Sequence, residues 1–529
     1  MALSYVERLQ LWVMKAIMAF LYALFWMLTP RPRADAPTKV PPLTNPLLKL
    51  SATQLAQKIR RREVSSVEVV QAYIDRIQEV NPLLNAMVKD RFSAALLEAA
   101  QVDRMIEEET VGGEEDLAQR LPLLGVPLSV KESFALQGMP HTTGLRSRAG
   151  LLASVDAPPV AYLKQAGAIP LGVTNIPELC MWGESHNRLY GITNNPYSLD
   201  STPGGSSGGE GSLLGAGGSV IGVGSDIGGS IRIPCFFNGV FGHKTTPYVV
   251  SNDGQYPPCS GRQEDYVSTG PMCRYAEDLL PMLKIMAGPS AHKISLSQPV
   301  DLKKLRFFSV PHDGGSPYTS PVDKQLLQAQ RQVVEHLESD LGVKVQELHV
   351  PELKYGYQIW EVFMGLPDKD GKPPQPFAEL MGEGGSSVWA PWELVKWMLG
   401  RSSHTMAAIG LAMFEMASGK PSQFILQQKE ALERRLEELL GTDGVLLYPP
   451  HPRLGYKHHH ALFTPLNFAY TGIFNTLGLP VTQCPLGLSR EGLPLGVQVA
   501  AWRHQDHLSL ATALYLEKAF GGWRDPGDP

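Results

Sequence analysis

Alternating strand and helix signals predict an α/β body with a largely parallel or mixed sheet, preceded by an N-terminal membrane helix. Three observations lead there. Short apolar runs alternate with helical stretches along most of the chain. A nearly unbroken apolar stretch of bilayer length occupies Leu9 to Leu28. Glycine is enriched in one place: 12 of the 27 residues from Gly204 to Ser230 are glycine and six are serine. The 529 residues exceed one ordinary compact domain, yet one large α/β domain accommodates them. An apolar content of 43% and a net charge of -5 exclude a disordered chain. The absence of a long basic block argues against a nucleic-acid binder, so no nucleic-acid partner is expected.

The N-terminal run is broken only by Gln10 and Lys15. Trp12, Tyr22 and Trp26 suit interfacial positions, and Pro30 and Pro32 stop the helix. The favoured reading is a retained single-pass anchor over residues 1–30. A cleaved signal peptide and an interfacial helix are the alternatives, the first weakened by the poor cleavage site Thr29-Pro30-Arg31. Residues 31–48 are proline-rich and read as a linker. Residues 49–529 form the globular body.

In the body, Ser51-x-x-Gln54 and Ser65-x-x-Glu68 each have the form of a capping box. Behind the second, Val69, Val70, Tyr73, Ile74 and Ile77 recur at helical spacing. Leu124 to Val130 reads as a strand ending at Lys131, Val160 to Ala166 as a helix, and Ile169 to Val173 and Val220 to Val223 as strands. Residues 290–440 are more helical and more charged, with a long helix from Pro421 to Leu440, and read as an insertion or lobe on the sheet. Buried strands return at Gly444 to Tyr448 and Leu479 to Cys484.

The glycine–serine segment is where chemistry is expected. Glycines let backbone N–H groups converge on one point, which suits a phosphate or a developing oxyanion. Neither GxxxxGK[ST] nor GxGxxG occurs in it, and it holds no lysine, which speaks against nucleotide binding. The apolar interruptions Leu213-Leu214 and Val220-Ile221 speak against a flexible linker. Gly204-x-Ser206-x-Gly208 matches a nucleophile elbow by letters, but Asp200-Ser-Thr-Pro203 rather than a strand precedes it. What remains is a pair of serines, Ser206 and Ser230, each behind paired glycines, with Lys131 ending a strand upstream. A lysine kept neutral by burial can act as base for a serine hydroxyl, and a second serine can relay the proton.

Other groups carry less. Cys180, Cys235, Cys259, Cys273 and Cys484 form no CxxC pair and read as isolated thiols. His458-His459-His460 has no carboxylate or cysteine at ligand spacing and reads as surface, so no metal site is expected. Trp389, Trp392 and Trp397, with Lys396 and Arg401, suit an interfacial cap, the alternative being ordinary core.

The run GGSSGGEG at 204–211 followed by GSDIGGSIRIP at 224–234 resembles the signature of the amidase signature family. Gly125-Val-Pro-Leu-Ser-Val-Lys131-Glu, Thr174-Asn175, Asn194-Asn195-Pro196 and Gly242-His-Lys244-Thr245 fit the same pattern. The stretches Leu477 to Thr482 and Gly492 to Gln498 fit as well, so the likeness covers about residues 50–520. It implies that family's fold, a large mixed central β-sheet surrounded by helices, and a Ser–cisSer–Lys catalytic set. Ser230 would be the nucleophile, Ser206 the relay serine beside a cis peptide bond, and Lys131 the ultimate base. Backbone N–H groups of Ile227, Gly228, Gly229 and Ser230 would form the oxyanion hole. Asp226 and Arg232 would make a supporting ion pair, and Cys180 would contact the substrate through its backbone. The resemblance implies no metal and no cofactor.

The apolar N-terminus and the stretches Ser219–Asp226, Pro271–Asp278 and Phe520–Trp523 resemble the membrane-anchored branch that hydrolyses fatty-acid amides. That implies primary amides such as oleamide and N-acylethanolamines as substrates. It also implies a membrane or lipid-droplet surface as partner, at the endoplasmic reticulum or lipid droplets, and a homodimer. The competing expectations are a glutaminase subunit of a tRNA-dependent amidotransferase and a catalytically silent, membrane-tethered lipid-binding protein.

Overall fold

In the computed structural model, residues 38–108, 113–382, 386–417 and 422–528 are described. The expected anchor at 1–30 lies outside them; among the described residues no helix is long and apolar enough to cross a membrane. Thirteen strands are described: β1 (Met87–Asp90), β2 (Pro127–Lys131), β3 (Ile169–Thr174), β4 (His186–Asn187), β5 (Gly191–Ile192), β6 (Ile221–Asp226), β7 (Phe241–Lys244), β8 (Ser268–Cys273), β9 (Arg306–Ser309), β10 (Val345–Glu347), β11 (Gly444–Tyr448), β12 (Val481–Leu488) and β13 (Pro494–Ala501). Eleven of them form one mixed sheet in the order β1-β3-β2-β6-β8-β7-β12-β13-β11-β9-β10, and β4 and β5 make a separate small hairpin. β2 runs parallel to both β3 and β6, with Leu128 opposite Ile221 and Val130 opposite Val223. β8 lies antiparallel between β6 and β7.

Alternation along each strand divides the interior into two cores. Along β11, Val445 and Leu447 enter the larger core, and Leu446 and Tyr448 enter the second. The larger core also takes Val69, Val70, Tyr73, Ile74 and Ile77 from the helix Ser66–Leu84. Both capping boxes form: Ser51 and Ser65 each accept a backbone N–H from the N3 residue and receive its side chain in return. The Asp278 carboxylate adds to the first, accepting the N–H groups of Ala52 and Thr53 at 2.9 Å each. That places a negative charge at a helix N-terminus, where the peptide dipoles favour it.

Two expectations change. Residues 290–440 do not merely sit on the sheet: β9 and β10, joined through the helix Lys324–Leu341, extend its edge. Only after Val350 does the chain leave to build helices over the strand ends. The expected linker is docked where it is described. Val40, Leu43 and Leu48 are buried, the Val40 N–H donates to the Pro196 carbonyl at 3.1 Å, and the Leu43 N–H donates to the Asp525 carboxylate at 2.7 Å.

Candidate active site

The parallel strands β2, β3 and β6 end together, and their C-terminal ends carry Lys131, Thr174 and Asp226. Carboxyl ends of parallel strands are where open α/β sheets place their ligands. On β2, Leu128 and Val130 face the larger core while Ser129 and Lys131 point to the other side, following the period of two. Beneath that side packs the helix Gly208–Gly215, all of it buried. The helix approaches closely because β6 presents Gly222 to it: a Cβ there would lie 2.2 Å from Glu210 Oε2. The Glu210 carboxyl sits between Ser129 Oγ at 2.6 Å and Thr174 Oγ1 at 2.8 Å, and burial pushes its pKa up to about 7.

Lys131 is fully buried. Its ammonium group lies 2.7 Å from Ser206 Oγ and 2.9 Å from Ser225 Oγ. Burial lowers its pKa below the ordinary lysine value, and the negative groups nearby, including Asp226 and Glu210, offset this only in part. Ser206 follows a cis peptide bond from Gly205, between the irregular stretch 201–205 and the helix Gly208–Gly215. Ser230 stands in the turn after β6. Its carbonyl accepts the Ser207 N–H at 3.1 Å, which ties the two serine-bearing turns together. The hydroxyls of Ser206 and Ser230 line one cavity with no hydrogen bond between them.

The turn 227–230 is shaped from outside. Trp360 Nε1 donates to the Ile227 carbonyl at 2.8 Å, and Thr471 Oγ1 to the Gly228 carbonyl at 2.6 Å. With those carbonyls engaged, the peptide N–H groups of Ile227, Gly228 and Ser230 make no hydrogen bond among the described residues. The Gly229 N–H is different: it donates to Asp226 Oδ1 at 2.8 Å. Of the four N–H groups expected to form an oxyanion hole, that of Gly229 is thus taken by the carboxylate that braces the turn. Gly229 has φ +124°, and a Cβ on it would lie 2.1 Å from Thr471 Oγ1.

Asp226 and Arg232 form a fully buried ion pair, with Nη2 to Oδ1 at 2.9 Å and Nε to Oδ2 at 3.0 Å. Arg232 also donates to Gln498 at 2.8 Å and to Asn475 at 2.7 Å, so neither charge lacks partners. The Asp226 carboxyl is held far below the usual carboxylate range: Arg232 and Lys244 outweigh the opposing effect of burial. Cys180 lies in a turn with two consecutive left-handed residues, Leu179 at φ +56° and Cys180 at φ +59°. Its thiol faces Ser133 and Ser206, and burial pushes its pKa up.

Two cavities meet at this centre. One of about 500 Å³ is shared by Ser206, Ser225 and Ser230 and runs out past Tyr256, Cys259 and Gln375. The other, of about 340 Å³, runs from Ser230 past Ile233, Trp360 and Phe468 to Leu462. Cys180, Met181, Ile227, Trp360, Leu411 and Phe414 line both.

Two outcomes differ from the sequence reading, those of Ser225 and His458, and one alternative left open there closes. Ser225 was not singled out; it lies in the glycine–serine segment, but only the adjacency of β2 and β6 brings it to Lys131. Trp389, Trp392 and Trp397 are not core: they are 66%, 51% and 36% exposed. His458 is not a free surface residue. Its Nδ1 meets the buried Glu184 carboxylate at 2.7 Å and its Nε2 meets Asn194 Oδ1 at 2.9 Å. Those partners lie more than 260 residues away, so no local spacing could reveal them.

Fold and site together define an amide hydrolase. The chain belongs to the amidase family, whose model matches residues 68–510. It is 69% identical over 528 residues to fatty-acid amide hydrolase 2-A of Danio rerio, covering 100% of this chain and 99% of that one. It is 52% identical to fatty-acid amide hydrolase 2 of Homo sapiens, with both chains covered in full. Among solved structures, fatty acid amide hydrolase matches with a TM-score of 0.70 at 23% identity, covering 96% of this chain and 89% of that one. At that identity the likeness shows the fold.

Proposed function

We propose that the chain is a membrane-associated serine hydrolase cleaving fatty-acid amides to a fatty acid and ammonia or an amine. The observation that carries the catalytic reading is the buried contact between Lys131 and Ser206 beneath a cavity that also holds Ser230. Ser230 Oγ attacks the amide carbonyl. Its proton passes to Ser206, whose own proton goes to neutral Lys131. The tetrahedral oxyanion is received by the N–H groups of Ile227, Gly228 and Ser230. The relay then reverses and protonates the departing nitrogen as the C–N bond breaks, since an amide anion is a very poor leaving group. Water enters by the same route, cleaves the acyl ester and releases the fatty acid.

The lipid reading is supported by the two largely apolar cavities and by the relatives' names. A membrane or lipid-droplet surface fits the helices Ala390–Met398 and Met406–Ala417, which pack on each other and expose Trp389, Trp392, Met398 and Leu399. Leu411 and Phe414 of the second helix line both cavities, so the exposed apolar face is continuous with the substrate space. An N-terminal anchor over residues 1–30 would hold this face to the bilayer.

The test is a panel of oleamide, an N-acylethanolamine and glutamine, with fluorophosphonate labelling of the wild type, Ser206→Ala and Ser230→Ala. Hydrolysis of both lipids, loss of labelling in Ser230→Ala and inactivity on glutamine are expected. Glutaminase activity alone would replace the lipid reading with that of an amidotransferase subunit. Labelling that survives Ser230→Ala but not Ser206→Ala would exchange the two serines' roles.

A further inference from the structure

The exposed helix pair and the catalytic turn share two links, one apolar and one polar. The apolar link is a small core in which Leu179 packs with Ala390, Ala408, Ile409 and Ala412 from the inner faces of the pair. The polar link is Glu178. Its carboxylate is buried, and it takes both of its strongest partners from the connection between the two helices: His404 Nδ1 at 2.5 Å and the Thr405 N–H at 2.8 Å. Thr405 Oγ1 in turn accepts the Ala408 N–H at 3.2 Å, so the carboxylate grips the start of the second helix. The connection is braced on its own side as well: Ser402 Oγ donates to Glu393 at 2.7 Å and accepts the His404 N–H at 3.1 Å.

Glu178 is followed directly by Leu179 and Cys180, the two left-handed residues. Non-glycine residues hold such a conformation only where surrounding contacts impose it. Here the Leu179 N–H donates to the Thr143 carbonyl at 2.9 Å and its side chain packs against both helices of the pair. Cys180 and Met181, next in the chain, line both cavities at Ser230, and the Cys180 thiol faces Ser206. A displacement of the helix pair therefore reaches the relay serine through only three residues of backbone.

We infer that Glu178 is a positioning residue that couples docking of the exposed helix pair on a lipid surface to the geometry of the Leu179–Cys180 turn, so that the bilayer activates the enzyme as well as presenting its substrate. This rests on the membrane-docking reading above. Insertion of Trp389, Trp392, Met398 and Leu399 into a bilayer fixes the pair; the Glu178–His404 contact passes that restraint to the turn, which then holds Cys180 against Ser206.

The test uses the full chain, a short-chain water-soluble amide and phosphatidylcholine vesicles free of substrate. The readout is the ratio of kcat with vesicles to kcat without them. The soluble amide does not need the bilayer for delivery, so the ratio reports on the enzyme alone. For the wild type a ratio of about five or more is expected, the lower end of ordinary coupling between sites. In Glu178→Gln, which keeps the side chain's size and one acceptor for Thr405, and in His404→Gln, the ratio should collapse towards one. Co-sedimentation with the vesicles should remain. The double variant should lose no more than either single one, because both remove the same link. A ratio in Glu178→Gln equal to that of the wild type overturns the coupling. So does a wild-type ratio of one in protein that binds vesicles. Wild-type protein that neither binds vesicles nor hydrolyses oleamide overturns the docking reading, and the coupling falls with it. If Glu178→Gln melts early, His404→Gln decides alone.

Discussion

A neutral lysine has one lone pair and two N–H bonds, and Lys131 has two hydroxyls to share them with. If an N–H is given to Ser225, the lone pair is left aimed at Ser206, the direction in which a base must accept. Ser225→Ala should therefore lower kcat by about ten- to a hundredfold with little change in KM, less than the roughly 10²–10⁴ lost on removing a general base. Rates should also rise with pH through the lowered pKa of Lys131: below it the ammonium cannot accept a proton, above it the amine can. A flat pH profile of kcat/KM, or an undiminished rate in Ser225→Ala, would contradict this picture. At this scale much of the site was legible. Lys131, Ser206 and Ser230 were placed by motif and spacing, and Asp226 and Arg232 by the family resemblance; Lys131 does meet Ser206, and Asp226 does pair with Arg232. Ser225, Trp360, Thr471 and Asn475 were not legible, because each acts through a contact that only the assembled sheet and its covering helices create.

The elements divide along the same line. β2, β3, β6 and β11 were visible as apolar runs because each is flanked by a strand on both sides and is buried along its whole length. β9 and β10 were missed: they are only four and three residues long, and β10, the edge strand, exposes Gln346 and Glu347. The tryptophan cluster was seen in the sequence, but composition could not tell an exposed aromatic face from a buried one. Its exposure makes a prediction. Trp392→Ser should weaken vesicle binding while leaving stability within about 0.5 kcal/mol, as for other surface substitutions. A fall in melting temperature of many degrees would mean that the ring is part of a packed interior. By contrast, removing the charge of Arg232 with Met should destabilise the protein by about 3–5 kcal/mol, the usual effect of stranding one partner of a buried ion pair. Denaturant titration would show it.

In the molecule as a whole, the three proposed attachments to a lipid surface are separable: the N-terminal segment, the exposed helix pair and the substrate itself. Deleting residues 1–30 should reduce vesicle binding and leave hydrolysis of a soluble amide intact, because the described body buries its own core without them. Binding equal to that of the full chain would make the helix pair the main attachment. The α/β class and the mixed sheet were legible because strand and helix periodicities alternate over hundreds of residues. The course of the chain after Val350, back over the strand ends, was not: nothing local in that segment marks which end of the sheet it covers.

The docked stretch that begins at Thr38 would fix the length of any leash from the proposed anchor. The Thr38 carbonyl accepts the Leu199 N–H at 2.8 Å, so the chain is fastened to the body from that residue onward. If the proposed bilayer segment ends at residue 30, seven residues of chain separate it from Thr38, at most about 25 Å even when fully extended. That is shorter than the bilayer is thick. An enzyme tethered in the proposed way would not leave the surface to sample the aqueous volume; it would search a plane, and its working substrate concentration would be the mole fraction of amide in the leaflet beneath it.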